Sequence, residues 1–154
     1  DASEGQAQDV WRLRHHLSEA QKAEGASIKH DISLPQASIP GFIDACCHRL
    51  AARVPGIRPC IFGHLGDGNL HFNLSQPKGA NPQSFLDHWD EISGLVHEMT
   101  IKAGGSISAE HGIGQMKVAL LAEVKDRASL NAMAAIKAAL DPKGILNPGR
   151  ILQP

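Results

Sequence analysis

The stretch that decides the fold is CIFGHLGDGNLHFNLS, residues 60–75. Asp67-Gly68 in its middle is a two-residue turn signal, because a type I′ turn needs positive φ at both central positions. Centring the turn there predicts a β-hairpin in which Leu65 faces Leu70 and His64 faces His71, a pairing that a four-residue loop, Gly66 to Asn69, preserves and a bulge does not. The two imidazoles would then stand directly opposite each other, with Cβ atoms about 5 Å apart. Alternation sorts the rest. Ile61, Leu65, Leu70, Phe72 and Leu74 fall on one face, suited to packing under helices. Phe62, His64, His71 and Asn73 fall on the other.

Working outward, SIKHDISL at 27–34 alternates Ile28, His30, Ile32 and Leu34 against Lys29, Asp31 and Ser33, a strand ended by Pro35. Before it, Val10, Leu13, Leu17 and Ala20 recur at helical spacing from about Gln8 to Glu24, and Gly25 stops that helix. After it, Ser38 can cap a helix whose buried stripe is Ile43, Cys47, Leu50 and Val54. Asn81-Pro82 opens a long helix carrying Phe85, Trp89, Ile92, Val96 and Met99 on one face, closed by Gly104-Gly105. Ser106 to Ser108 reads as a short strand leading into AEHGIG. Helices over about 115–124 and 127–140 follow, and the end, KGILNPGRILQP, is rich in turns. The order β-α-β-β-α-β after the first helix predicts an α+β fold, a ferredoxin-like antiparallel sheet with helices packed on one face plus additional C-terminal helices.

Composition narrows the function. The 154 residues fit one domain, 1–154, and 42% apolar with 20% charged residues is enough to bury a core. Fifteen Lys and Arg against sixteen Asp and Glu give no basic field for a nucleic-acid backbone. Aromatics at 4% are too sparse for a base-stacking platform, so no nucleic-acid partner is expected. No apolar run approaches the roughly 20 residues of a transmembrane segment. Neither a secretion signal nor an initiator Met opens the chain, which reads as a piece of a longer protein. Cys46, Cys47 and Cys60, an odd number with two adjacent, make a poor disulfide framework and point to a reducing, cytoplasmic setting.

Two facing histidines on the sheet's non-helical side are a metal-site geometry, since imidazole nitrogen binds divalent ions at about 2.0–2.1 Å. Glu110, at the end of the last short strand, is the best third ligand. Two His and one carboxylate leave positions open for water or a chelating substrate. The same pattern also suits two ordinary cross-strand neighbours beside a turn. His111, next to Glu110, can serve as a general base, or as loop polarity and support for the ligands. Cys46 and Cys47, on an apolar helix face, read as buried rather than nucleophilic.

Four motifs in order, KHDISLP at 29–35, GHLGDGNLHFN at 63–73, AEHGIG at 109–114 and DPKGILNPGRIL at 141–152, resemble the C-terminal domain of FAD-linked oxidases of the vanillyl-alcohol-oxidase class. The nearer members are the glycolate oxidase, D-lactate dehydrogenase and D-2-hydroxyglutarate dehydrogenase group. The likeness runs from about Val10 to Leu152. It implies that His64, His71 and Glu110 hold a divalent metal, zinc or manganese, that His111 is the catalytic base, and that Asn73 touches the substrate. It further implies that Lys29 pairs with a substrate carboxylate and that Arg14 binds substrate. His15 stands where the family places Glu after that Arg, so Arg14 and Lys29 also admit the readings of a solvated helix charge and a strand-face salt bridge. The resemblance implies FAD on a separate FAD-binding domain of the same polypeptide, absent from this chain, and oxidation of a small D-2-hydroxy acid to the 2-oxo acid. The competing expectations are a metal- or ligand-binding module without redox function and a structural domain that forms a homodimer. The full-length protein would be cytoplasmic, or peripheral at the inner face of a membrane.

Overall fold

The structure is a computed structural model, and it describes residues 3–152. Contacts divide the chain into two compact units, Asp1–Ile107 and Ser108–Pro154.

The first unit opens with helix α1, Glu4–Ala20, capped by Ser3 and Gln6 in a reciprocal capping box. A 3-10 turn, Gln21–Glu24, follows it, and Gly25 leaves the turn at φ 99°. Val10 and Leu13, two of the apolar residues at helical spacing, are 66% and 73% exposed, so α1 does not bury that face within its unit. Strand β1 is Ser27–Ser33, helix α2 Ile39–Arg53, strand β2 Arg58–His64 and strand β3 Asn69–Ser75. A short helix, α3 Pro82–Leu86, precedes α4, Trp89–Lys102.

The three strands form an antiparallel sheet in the order β1-β3-β2. Both β1 and β2 run antiparallel to β3, so they are parallel to each other with β3 inserted between them and α2 as the crossover. This is the split βαβ arrangement that the order of elements predicts. The expected fourth strand at Ser106–Ser108 is reduced to one bridge, Ser33↔Ser106, on the free edge of β1. Its two backbone hydrogen bonds are 3.1 and 2.8 Å. The backbones approach closely there: a Cβ on Gly105 would lie 2.2 Å from the Ser33 carbonyl oxygen.

One sheet face carries Ile28, Ile32, Leu70, Phe72 and Leu74, all buried, and meets Ile39, Phe42, Cys46 and Leu50 of α2 and Ile92 and Val96 of α4. Leu50 is buried as expected, but Phe42 and Cys46 take the places expected of Ile43 and Cys47, and Ile43, Cys47 and Val54 are packed only partly against the core. Ser38 precedes α2 without a side-chain capping bond. Asn81 does cap its helix, accepting from Gln83 N and Ser84 N at 2.9 and 3.1 Å. The single long helix expected from there is instead α3 and α4, interrupted at Asp87-His88. His30 is buried on the helical face, its Nδ1 2.9 Å from Phe72 O and its Nε2 3.1 Å from Ser93 Oγ. Burial pushes the Cys46 thiol up to about 12, which fits a packing residue and not a nucleophile.

The second unit contains α5, Val118–Val124, and α6, Arg127–Leu140, the latter capped by Asp126. The turn-rich end is organised by buried Asp141, whose carboxylate accepts from Ile145 N and Leu146 N at 3.0 and 2.9 Å and pairs with Lys137. Among the described residues no helix is long and apolar enough to cross a membrane.

Candidate metal and substrate site

Alternation along the three strands sends one set of side chains away from α2 and α4. On β1 these include Lys29 and Asp31, on β3 His71 and Asn73, and on β2 Cys60, Phe62 and His64. Lys29 is the register partner of Asn73, and Asp31 of His71. Directly opposite residues on neighbouring strands are the closest side-chain pairs a sheet offers. The face therefore sets a carboxylate beside an imidazole and an ammonium beside an amide. Asp31 and Asn73 are buried, His71 is half-buried, and Lys29 and His64 are exposed.

The two histidines share this face as expected, but not the expected register. His71 stands opposite Phe62, and His64 opposite Asn69. The connection is four residues, Leu65 to Gly68, not a two-residue turn at Asp67-Gly68. Leu65–Asp67 form a 3-10 turn, Gly68 closes it at φ 75°, and the Asp67 carboxylate accepts from Asn69 N at 3.1 Å. The shift of two residues keeps His64 and His71 on one side and makes them diagonal neighbours. Such pairs lie roughly 7–8 Å apart, within reach of long side chains. Leu65, expected on the buried face, is 67% exposed in the turn.

Phe62 connects the sheet to α1. Its ring centroid lies 5.1 Å from that of His71 at an interplanar angle of 46°, and Arg14 Cζ sits 4.9 Å from the same centroid. Arg14 is thus brought to the face that carries Lys29 and His71. The neighbouring His15 stacks on Trp11, with ring centroids 5.8 Å apart. Asn73 donates through Nδ2 to Gln21 Oε1 at 2.9 Å, and Gln21 donates to Ser75 Oγ at 3.1 Å, so the turn after α1 holds the amide.

Glu110 and His111 belong to the second unit, where both are exposed. Their loop is drawn into a tight bend by the Ser108 hydroxyl, which donates to Gly112 O at 2.8 Å, with Gly112 at φ 75°.

Alternation in KHDISL puts Asp31 on the polar side of its strand but gives it no role. The neighbour of Asp31 is hidden from the sequence, because it depends on β3 and not β2 lying beside β1.

Residues 1–151 match the family described as FAD linked oxidases, C-terminal domain. The chain belongs to this family. A D-2-hydroxyglutarate dehydrogenase of Stutzerimonas stutzeri (strain A1501) is 37% identical over 149 residues, which covers 97% of this chain and 32% of that relative. A mitochondrial D-2-hydroxyglutarate dehydrogenase of Arabidopsis thaliana is 42% identical over 153 residues, covering 96% of this chain and 25% of the relative. One of Danio rerio, also mitochondrial, is 38% identical over 143 residues, 93% of this chain and 26% of the relative. The chain therefore spans a quarter to a third of the length of these relatives. The resemblance drawn from the four motifs holds at the level of the family.

Proposed function

We propose that this chain is the substrate- and metal-binding domain of an FAD-dependent dehydrogenase that oxidises a D-2-hydroxy acid, D-2-hydroxyglutarate in the first instance, to the 2-oxo acid. The observation that carries the reading is the sheet face on which Asp31 and His71 are direct register partners, with Lys29 and Arg14 beside them. A carboxylate and an imidazole are donors for a divalent cation, and two cationic side chains near them suit an acid with two carboxylates. The names of the relatives supply the particular acid.

In this proposal His64, His71 and Glu110 hold the metal, zinc or manganese. Asp31, the register partner of His71, adds a second carboxylate to this donor set from the same sheet face. The donor set fits: imidazole and carboxylate suit zinc and manganese alike, and the chain supplies both. A cation held there would supply the positive charge that stabilises a deprotonated hydroxyl on the substrate.

The chain's own residues do the rest. Lys29 and Arg14 bind carboxylate, and Arg14 can do so through two parallel N–H bonds. Asn73, its amide fixed by Gln21, orients the substrate. His111 takes the hydroxyl proton on an imidazole ring nitrogen. Oxidation to the 2-oxo acid removes two electrons and two protons, and FAD, carried mainly by a separate FAD-binding domain, supplies the electron acceptor. The cytoplasm is the proposed setting, on the three free cysteines, although several relatives carry mitochondrial in their names.

Calorimetric titration of the manganese-loaded chain with D- and L-2-hydroxyglutarate tests the proposal. Binding of the D acid that disappears on chelation, and weaker binding of the L acid, is expected. Equal, metal-independent heats for both would contradict it.

A further inference from the structure

Phe62 is the one large apolar side chain, with the small Cys60 two residues before it, on the strand positions that face away from α2 and α4 and carry Lys29, Asp31, His64, His71 and Asn73. It is only half-buried, so core packing does not account for its place there. What it touches is specific. The Arg14 guanidinium carbon lies 4.9 Å from its ring centroid, and the His71 ring lies 5.1 Å from it. A guanidinium within about 6 Å of a ring centroid is attracted by the ring quadrupole. An aromatic ring holds that cation without consuming its N–H donors, whereas an acidic partner would occupy them. Arg14 projects from α1 on a long, rotamer-rich side chain, and the ring reduces that freedom before any ligand arrives.

We propose that Phe62 is a positioning residue: through its contacts with both Arg14 and His71 it sets the separation between the guanidinium and the imidazole, and so selects acids by the distance between their two anionic ends. This rests on the reading of Arg14 as a carboxylate partner. An acid with a second carboxylate needs the cation at a fixed distance from the end that meets His71. A short monocarboxylate does not reach Arg14 and is indifferent to it. Phe62 thus favours the dicarboxylate without touching either acid.

Two measurements on the same variants test this. In the ligand-free chain, the NMR signals of the Arg14 Nε–H group and δ protons are displaced by the ring current of Phe62. Phe62→Leu is expected to abolish that displacement and Phe62→Tyr to keep it. In the manganese-loaded chain, Phe62→Leu is expected to lower the ratio of D-2-hydroxyglutarate to D-lactate affinity by about threefold to tenfold. D-lactate affinity itself is expected to hold, and Phe62→Tyr to restore the ratio. Phe62→Met, ringless and close in volume, repeats both measurements if circular dichroism shows the leucine variant unfolded. Arg14 signals that stay in place when the ring is removed overturn the proposal, and so does an equal loss of affinity for both acids. If the unmutated chain binds neither acid, the reading of the site fails, and the Arg14 signals still decide whether Phe62 positions that cation.

Discussion

Asp141 is a single acid on which a whole loop depends. Its carboxylate accepts two backbone N–H groups, from Ile145 and Leu146, and pairs with Lys137, which also donates to Leu146 O at 2.7 Å. The Lys137 hydrogen bond, with the two backbone donors, holds the Asp141 carboxyl below the ordinary Asp value despite burial. A carboxyl depressed in the folded state stabilises that state above its unfolded pKa and loses the contribution as pH falls through the folded value. Thermal melts followed by circular dichroism from pH 7 downward through the acid range should therefore show stability falling below about pH 4. Asp141→Asn should be less stable at neutral pH and flatter across that range; an unchanged acid limb would count against this role. DPKGILNPGRIL is legible as a motif and as a run of turns. That its first residue is the hub is not, because the hydrogen bonds form only once the following residues fold back onto it.

The hairpin shows which part of an element a period-two pattern can fix. Ile61, Leu70, Phe72 and Leu74 against Phe62, His64, His71 and Asn73 specify the face of every residue. A slip of two residues leaves every face unchanged, so the pattern cannot choose between pairing His64 with His71 and pairing it with Asn69. The turn chooses, through Gly68. It stands at φ 75°, its carbonyl accepts from Leu34 N at 3.0 Å, and a Cβ there would lie 2.0 Å from Leu34 O. Gly68→Ala combines a left-handed penalty with a backbone clash and should cost about 2–4 kcal/mol, lowering Tm by about 5–10 °C. Gly66→Ala is the control: a Cβ there meets nothing within 4 Å, and its Tm should stay within about 2 °C of the parent. Comparable melting points for the two variants would refute the closing role of Gly68. The helices repeat the lesson. In α2, Phe42, Cys46 and Leu50 compete with Ile43, Cys47 and Leu50 for the same helical spacing, and only the sheet decides between them. The break between α3 and α4 falls at Asp87-His88, where neither Gly nor Pro announces it.

At the scale of the molecule, the split βαβ sheet divides labour between its faces. One is packed under α2 and α4, and the other presents the charged and polar residues proposed to meet metal and substrate. The α+β class is legible because hairpin, crossover helix and punctuation agree in order. The strand order that puts Asp31 beside His71 is a tertiary outcome that no local window contains. If the chain supplies orientation and proton transfer while FAD is carried elsewhere, the chain by itself should not reduce a redox dye with D-2-hydroxyglutarate. The same chain joined to the FAD-binding domain of a close relative should do so. Strong dye reduction by the isolated chain would break that division of labour.

The most direct test is metal stoichiometry in untagged protein stripped with chelator and titrated with manganese or zinc. One ion per chain is predicted to bind in the unmutated protein, with affinity falling at least tenfold in His71→Ala and in Glu110→Gln at preserved helical content. Equal binding by all three proteins, or none by any of them at saturating metal, would contradict the account.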